Sequence, residues 1–599
     1  MTRIDEAAPA VVPRHFFLWL ASGMALVTGV LEPPFLLLRR AIQDLPIEGD
    51  AQMLWMTPLA NLLIFLPLGV ALHLSLRSTR KRWLAQTGTA TIFALAIFAL
   101  LAVFPRLHAI SWLILAAGVA AQLSRIALRH PARLLGWARR VTVALAAVGF
   151  VAGVVTAAAP PVREAWFNRT AGSPPAQALN VLLLVLDTVR WKSLSLSGHE
   201  RSTSPELDDW SREGVQFADA TVTSPWTLPS HAGMFTGLYP HELEAGFKTP
   251  LENAPRTIAE SLAELGYATA GFVANRRYGS AEFGLDRGFT RYVDYRVSPA
   301  QILISSSIWR RILWHPRVQE ALDYYDLYGR AYAATINREL LAWIDETDRP
   351  FFAFVNYYDA HDPYLPPPPF DRRFTDEPRQ GRPANVDGKP PPESLGPELD
   401  MYESTIAYLD SQLGALRDSL SSRGLLDRTL LIITSDHGEQ FGEHEMSGHG
   451  NSLYSPVLSV PLILVSSQRI PAGVRIADPV TLRDLPATIM HIATGRADGE
   501  FPGSPLSRYW DGEVVHPPGS PILAALTWPN GQIAYSLRHR SHLYIDWFQE
   551  REELYDLALD PEESTDLAQR PEGEEALRQL RALRDSLVGH VRRPVERGM

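Results

Sequence analysis

Five apolar runs crowd the start of this chain, near residues 16–38, 54–76, 84–104, 108–124 and 141–159, and beyond Pro160 the sequence reads as soluble. Each run approaches the ~20 residues that an α-helix needs to cross a hydrocarbon core of ~30 Å. A cleaved signal peptide would explain the first run and leave the other four. A buried soluble bundle would have to hide five uncharged segments in succession, so a transmembrane all-α bundle over 1–159 is the better reading. Glu32-Pro33-Pro34 interrupts the first run and predicts a kink or a partly re-entrant stretch. Arg77, Arg80, Lys81 and Arg82 follow the second run, and Arg125, Arg129, Arg133, Arg139 and Arg140 follow the fourth. By the positive-inside rule these links are cytoplasmic, although Arg39 and Arg40 dissent. The expected protein is therefore multi-pass in the plasma (inner) membrane, with the lipid bilayer as a partner, its N-terminus inside and everything after Ala159 on the extracytoplasmic side.

The 599 residues are 46% hydrophobic and 20% charged, enough for more than one folded domain. A net charge of -10 and the lack of a basic tract in the second part argue against a nucleic-acid partner. There is no cysteine, which excludes disulfides, thiolate metal sites and a cysteine nucleophile, and suits an oxidising compartment. Pro160-Pro161 through Pro174-Pro175 reads as a connecting arm, 160–178. Beyond it strands alternate with helices: Thr257–Leu265 a helix, Ala268–Val273 a strand, Tyr332–Ile344 a helix and Phe351–Tyr357 a strand. That alternation predicts an α/β fold with a largely parallel sheet and helices on both faces. Residues 362–398, rich in proline, predict a long irregular excursion.

Two apolar runs end in acids. Val181 to Leu186 stops at Asp187, and Leu430 to Ser435 stops at Asp436-His437-Gly438. Both runs read as buried parallel strands, whose carboxyl ends are where open α/β sheets gather their ligands. Between them Ser224-Pro225-Trp226-Thr227-Leu228-Pro229-Ser230-His231 reads as a loop entering a helix, a start that favours an anion. Two carboxylates, an imidazole and a hydroxyl make a site for a divalent cation, zinc or manganese. Asp187 and Thr227 could instead simply cap helices. Asp436-His437 is the most specific pair, because a neighbouring buried acid and imidazole at a strand end are seldom structural.

Ordered motifs then carry a resemblance. Asn180 to Arg190, Thr203-Ser204-Pro205-Glu206-Leu207 and Thr227 to His231 come first, followed by Thr236-Gly237-Leu238-Tyr239-Pro240. Gly284 to Phe289, Tyr358 to Tyr364, Ser435 to Gly450 and Glu553-Leu554-Tyr555-Asp556-Leu557 complete the order. From about Asn180 to Leu567 the chain resembles the sulfatase branch of the alkaline phosphatase superfamily. The resemblance implies an α/β sandwich, 179–500, with a smaller C-terminal subdomain, 501–599, acting on sulfate or phosphate esters. Sulfatases carry a cysteine or serine, oxidised to formylglycine, where this chain has Thr227. Threonine bears a methyl on Cβ and cannot give that aldehyde, so its hydroxyl would serve directly as nucleophile, made more acidic by the cation. His231 stands where the motif ends in arginine, Thr188 where a second aspartate is usual, and Asp436-His437 where Asp-Asn is usual; no Gly-Lys-Trp-His segment lies near Ala274 to Tyr278.

These departures are similar to the branch that works on phosphorus. What they imply is one metal on Asp187, Thr227, Asp436 and His437, with calcium a further possible occupant. His361 and His449 match positions that bind a second metal or act on the leaving oxygen. His231 and Asn275 touch substrate oxygens or merely pack, and His444 is structural. The expected activity is a membrane-anchored, metal-dependent ester hydrolase working through a covalent threonine ester. The alternatives are a phosphoethanolamine- or phosphoglycerol-type transferase modifying envelope lipids or glycans, and a catalytically inactive relative that only binds.

Overall fold

The structure is a computed structural model that describes residues 11–589 except 44–50, 105–107, 244–245, 247–248, 252–254, 323–329, 377–391, 496–498, 512–519 and 529. The chain divides into two compact units, Met1–Val162 with Tyr295–Gly329, and Arg163–Asp294 with Arg330–Met599.

The first unit contains α1 (Phe16–Gln43), α2 (Met53–Leu76), α3 (Arg82–Leu101), α4 (Ala109–Ala127) and the larger part of α5 (Pro131–Thr170). All five are long and apolar enough to cross a membrane. The first of them runs on through Glu32-Pro33-Pro34 as one helix, so of the kink or re-entrant stretch expected there the re-entrant stretch is not formed. Two prolines free only the carbonyls of the preceding turn, and helices packed in a bundle tolerate that loss. Helices α1 and α2 approach closely at Gly29, where a Cβ would collide with the Pro58 backbone. Helix α5 likewise continues through Pro160-Pro161 to Thr170, so the connecting arm expected over 160–178 is helical over its first part. Its last turns are held from the side: Arg163 Nε donates to Thr290 O at 2.5 Å, and Glu164 pairs with Arg291 at 2.6 Å and accepts from Trp343 Nε1 at 3.0 Å. The same unit takes in three short helices from far along the chain, α9 (Pro299–Ser305), α10 (Ser307–Leu313) and α11 (Pro316–Leu322).

The second unit is an α/β sandwich. Its strands are β1 (Asn180–Leu186), β2 (Val215–Thr221), β3 (Ala268–Val273), β4 (Arg291–Val293), β5 (Phe351–Tyr357), β6 (Thr429–Thr434), β9 (Ser459–Val465), β10 (Val474–Ile476) and β11 (Val480–Thr481). They form one nine-stranded sheet in the order β10-β2-β9-β6-β1-β5-β3-β4, with β11 beside β2. Strand β1 is central and parallel to both neighbours, with Val185 opposite Asn356 of β5 and Thr434 of β6. Only β9 runs against its partners. Because β1 is covered on both faces it can be apolar throughout. Val181, Leu183 and Val185 enter one core, and Leu182, Leu184 and Leu186 enter the other.

The helices α6 (Pro205–Arg212), α7 (Thr227–Thr236), α8 (Ile258–Glu264), α12 (Ala333–Asp345), α13 (Pro392–Ser422), α14 (Ser455–Leu458) and α15 (Leu485–Thr494) belong to this unit. Helix α13 replaces the end of the irregular excursion expected over 362–398, and its middle, 377–391, lies outside the described residues. A two-stranded ribbon, β7 (Gln440–Phe441) with β8 (Ser447–Gly448), follows β6. The C-terminal part is an antiparallel sheet of β12 (Ile522–Thr527), β13 (Ile533–His539), β14 (His542–Trp547) and β15 (Arg551–Asp556), with α16 (Glu574–Val588).

Candidate metal and catalytic site

The carboxyl ends of β1, β3, β5 and β6 lie side by side in the sheet and bring together residues far apart in sequence. Asp187 follows β1, Asn275 follows β3, Asn356 is the penultimate residue of β5, and Asp436-His437 follow β6. Thr227 is the first residue of α7. Asp187, Asp436 and His437 are fully buried, each at 0% exposure. One oxygen or ring nitrogen from each lies within 4.8 Å of the others.

The hydrogen bonds leave particular atoms open. Asp187 Oδ2 accepts from Asn275 Nδ2 at 2.8 Å and from Asn356 Nδ2 at 3.1 Å, and its Oδ1 has no donor. Asp436 Oδ1 accepts from the backbone N–H of His437 at 3.0 Å and of Thr188 at 3.2 Å, and its Oδ2 has none. His437 Nδ1 lies 3.0 Å from Gly438 O, which fixes the proton on that nitrogen and leaves a lone pair on Nε2. Such buried polar atoms cost free energy unless something fills the gap. A divalent cation fits this set: two carboxylate oxygens, one neutral imidazole nitrogen and the hydroxyl of Thr227, 3.3 Å from His437 Nε2.

Protonation points the same way. Burial pushes the Asp187 carboxyl well above the usual range, and the neighbouring charge of Asp436 adds to this, an arrangement that a cation between the two would relieve. Burial pulls His437 down to about 4, which keeps it neutral and able to ligate. Thr188 adopts a left-handed backbone (φ 64°) while its hydroxyl donates to Asp187 O and Ala360 O, a strained turn that aims its N–H at Asp436.

The predicted histidines gather on one side. His449 lies with its ring centroid 4.4 Å from that of His437 and 4.9 Å from that of His361. Burial alone would lower His449, but Glu439, with both carboxylate oxygens 3.1 Å from Nδ1, holds it above its ordinary value. His361 is pulled well below its ordinary value by desolvation and then by the charge of His449. Its ring stacks on Tyr358, and Arg330 grips the backbone beneath it, donating to Asp359 O at 3.1 Å and His361 O at 3.0 Å. Asn275 Nδ2 reaches Thr227 Oγ1 at 3.4 Å. His231 sits one turn below Thr227, its Nδ1 2.8 Å from Thr227 O and its ring packed on Phe354, and its buried Nε2 has no partner. His444 stacks on Tyr454 with centroids 3.7 Å apart and lies 3.5 Å from Glu563, as expected of a structural residue.

Three contributors escaped the sequence reading: Asn356, Glu439 and Arg330. Asn356 had a usable signal, since it is the one amide inside the otherwise apolar and aromatic run of β5. Glu439 sits two residues past His437, inside a motif already singled out, but its pairing with His449 needs the β7–β8 ribbon to fold back.

Comparison with known proteins identifies the family. The Sulfatase family profile matches residues 179–495. An arylsulfatase of Clostridium perfringens is 24% identical over 464 residues, covering 67% of this chain and 93% of its own. A choline-sulfatase of Rhizobium meliloti is 24% identical over 472 residues, covering 70% of this chain and 87% of its own. Among solved structures, the phosphonate monoester hydrolase of Agrobacterium radiobacter superposes with a TM-score of 0.57 at 22% identity, covering 69% of this chain and 96% of its own. An enzyme solved with its substrate D-glucosamine-2-N,6-O-disulfate gives a TM-score of 0.55 at 18% identity, covering 69% of this chain and 98% of its own. A family profile spanning more than half of the chain, on a sheet whose strand ends assemble the two acids, the imidazole and the hydroxyl, places this protein in the sulfatase family of ester hydrolases.

Proposed function

We propose that this sulfatase-family hydrolase is anchored by its N-terminal helices, faces the extracytoplasmic side, and cleaves sulfate or phosphate esters with the hydroxyl of Thr227 as nucleophile. The observation that carries this reading is the position of Thr227 Oγ1, 3.3 Å from His437 Nε2 and 3.4 Å from Asn275 Nδ2, beside the two carboxylates that each keep an open oxygen. Asp187, Asp436, His437 and Thr227 would hold a divalent cation, zinc, manganese or calcium, which when bound supplies positive charge against the ester oxygens and makes the hydroxyl easier to ionise.

The side chains divide the remaining work. Asn275 bonds both Asp187 and Thr227 and fixes the attacking oxygen. Thr227 Oγ1, ionised with its proton given up to solvent, forms a bond to sulfur or phosphorus as the bond to the departing oxygen breaks, and His449, which Glu439 holds above its ordinary value, gives that oxygen its proton. Neutral His361 then accepts a proton from water, which attacks the same sulfur or phosphorus. The bond from Thr227 Oγ1 breaks, that oxygen departs ionised as it began, and exchange with water returns His361 to its neutral and His449 to its protonated form. The named relatives include enzymes of aryl, choline and glucosamine sulfates and of phosphonate monoesters, so the substrate class is an organic oxyanion ester.

Trapping the intermediate tests the proposal. Rapid quenching with an aryl sulfate or aryl phosphate, followed by mass analysis of the Thr227 peptide, should show bare sulfate or phosphate on the threonine. Phosphoethanolamine or phosphoglycerol there, after incubation with envelope lipid, would make the protein a transferase. An unmodified peptide during steady turnover would remove threonine from the chemistry.

A further inference from the structure

The segment Tyr295–Gly329 lies inside the family-matching region yet belongs to the compact unit of the five apolar helices. Its contacts there are polar and specific. Glu32 of α1 is 1% exposed and both its oxygens are taken: Oε1 accepts from Asn61 Nδ2 at 2.9 Å and Oε2 from the backbone N–H of Ser307 at 2.7 Å. Ser306 Oγ donates to Asn61 Oδ1 at 2.6 Å, and Ser307 Oγ to Ala99 O at 2.7 Å. Trp309 Nε1 donates to Ala60 O at 3.0 Å, and Arg311 donates to Ala102 O at 3.1 and 3.3 Å with its guanidinium over Trp112. Ile308 enters the apolar core of the bundle.

These partners share one end of the bundle. Glu32 lies in the later half of α1, Ala60 and Asn61 in the early part of α2, Ala99 and Ala102 at the close of α3, and Trp112 at the opening of α4. In consecutive antiparallel helices those positions face the same side, the side from which α5 leads on. An acid inside an apolar helix is normally a functional candidate, as a relay or an ion site. Here no oxygen is left over: one donor is Asn61 of the neighbouring helix and the other comes from a segment 275 residues away. That pattern describes a joint.

We infer that Ser305–Ser307, Glu32 and Asn61 form a latch, an interaction surface whose partner is a segment of the catalytic region of the same chain. The bundle is then an obligate docking partner of that segment. Without the insertion the buried carboxylate of Glu32 and the amide of Asn61 would each lose one donor, and the insertion would leave Ser307 N–H, Trp309 and Ile308 uncovered.

The native absence of cysteine makes a clean test possible in the full chain. In membranes, paired Asn61→Cys and Ser306→Cys substitutions should form a disulfide under mild oxidation, read as two proteolytic fragments that separate only on reduction. A control pair at the far end of α2, Leu76→Cys with Ser306→Cys, should not. Trypsin should cut after Arg310 and Arg311 slowly in the wild type, roughly ten-fold or more faster in Glu32→Ala, and at an intermediate rate in Glu32→Gln, whose amide oxygen still accepts one hydrogen bond. Failure of the Asn61–Ser306 pair to close, or equal cleavage in wild type and Glu32→Ala, would overturn the latch. The disulfide should form in detergent as well, so its failure is distinguishable from failure of the chain to insert, which release by alkaline carbonate reports.

Discussion

Glu32 and the pair Asp187–Asp436 are all acids removed from water, and they differ in one respect. Each oxygen of Glu32 receives a donor, whereas Asp187 and Asp436 each receive two donors on one oxygen and none on the other. A carboxylate whose oxygens are both engaged has nothing left to offer a ligand and acts as a fastening. One with an open oxygen beside a neutral imidazole is built for something that must arrive. The same contrast separates Asn61, enclosed between Glu32 and Ser306, from Asn275, whose single amide nitrogen spans Asp187 and the hydroxyl of Thr227.

The sharpest way to break this comparison is at the hydroxyl. Thr227→Ala should cost at least about 10⁴-fold in turnover, as removal of a nucleophile does elsewhere, with bound metal retained on Asp187, Asp436 and His437. Turnover close to wild type would show that the open oxygens serve some other nucleophile. Removal of divalent cations should abolish turnover, and zinc or manganese should restore it. Because burial and the charge of Asp436 push the Asp187 carboxyl upward, rebinding should favour its ionised form and release protons, which calorimetry in buffers of different ionisation enthalpy will detect. Asn356→Ala leaves the ligands themselves in place and removes one donor from the engaged oxygen of Asp187. A loss of about 10–100-fold in metal affinity is expected, measured by competition with a chelating dye, and an unchanged affinity would mean that the amide is only packing.

How far the sequence led differs between the two regions for the same physical reason. Strands buried on both faces are uninterrupted apolar runs, so Ala268–Val273 and Phe351–Tyr357 emerge with their observed bounds, and the polar residues that stop β1 and β6 stand out as Asp187 and Asp436. The latch was not legible. Its helices α9 and α10 are seven residues each, too short for a periodic pattern, and Ser305–Ser307 look like an ordinary turn until Glu32 and Asn61 are beside them. Proline did not end a helix at 33–34 or at 160–161: α1 runs on through the first pair, and beyond the second Arg163 and Glu164 tie the last turns of α5 from the side. Arg39, one of the two residues that dissented from the charge rule, donates to Val103 O beyond the end of α3.

A subtler probe is the imidazolium. Glu439→Gln keeps the shape of the side chain and removes the charge that holds His449 above its ordinary value. Because the protonated form is the one required, activity falls as pH rises through that value, so the variant should lose activity at lower pH than the wild type while its rate at acid pH changes little. An alkaline limb that does not move would assign the proton to another group.

The smallest effect belongs to Glu32. If its two oxygens are already satisfied and it takes no part in turnover, Glu32→Gln should change kcat by no more than about three-fold, because an amide can still accept one of the two hydrogen bonds and the remaining cost falls on docking of the insertion. Thermal unfolding and tryptic cleavage should register the substitution before the rate does. A collapse of kcat in a protein that keeps its metal and its trypsin resistance would place Glu32 among the acids that do chemistry, and occupancy of both oxygens would no longer separate a fastening from a site.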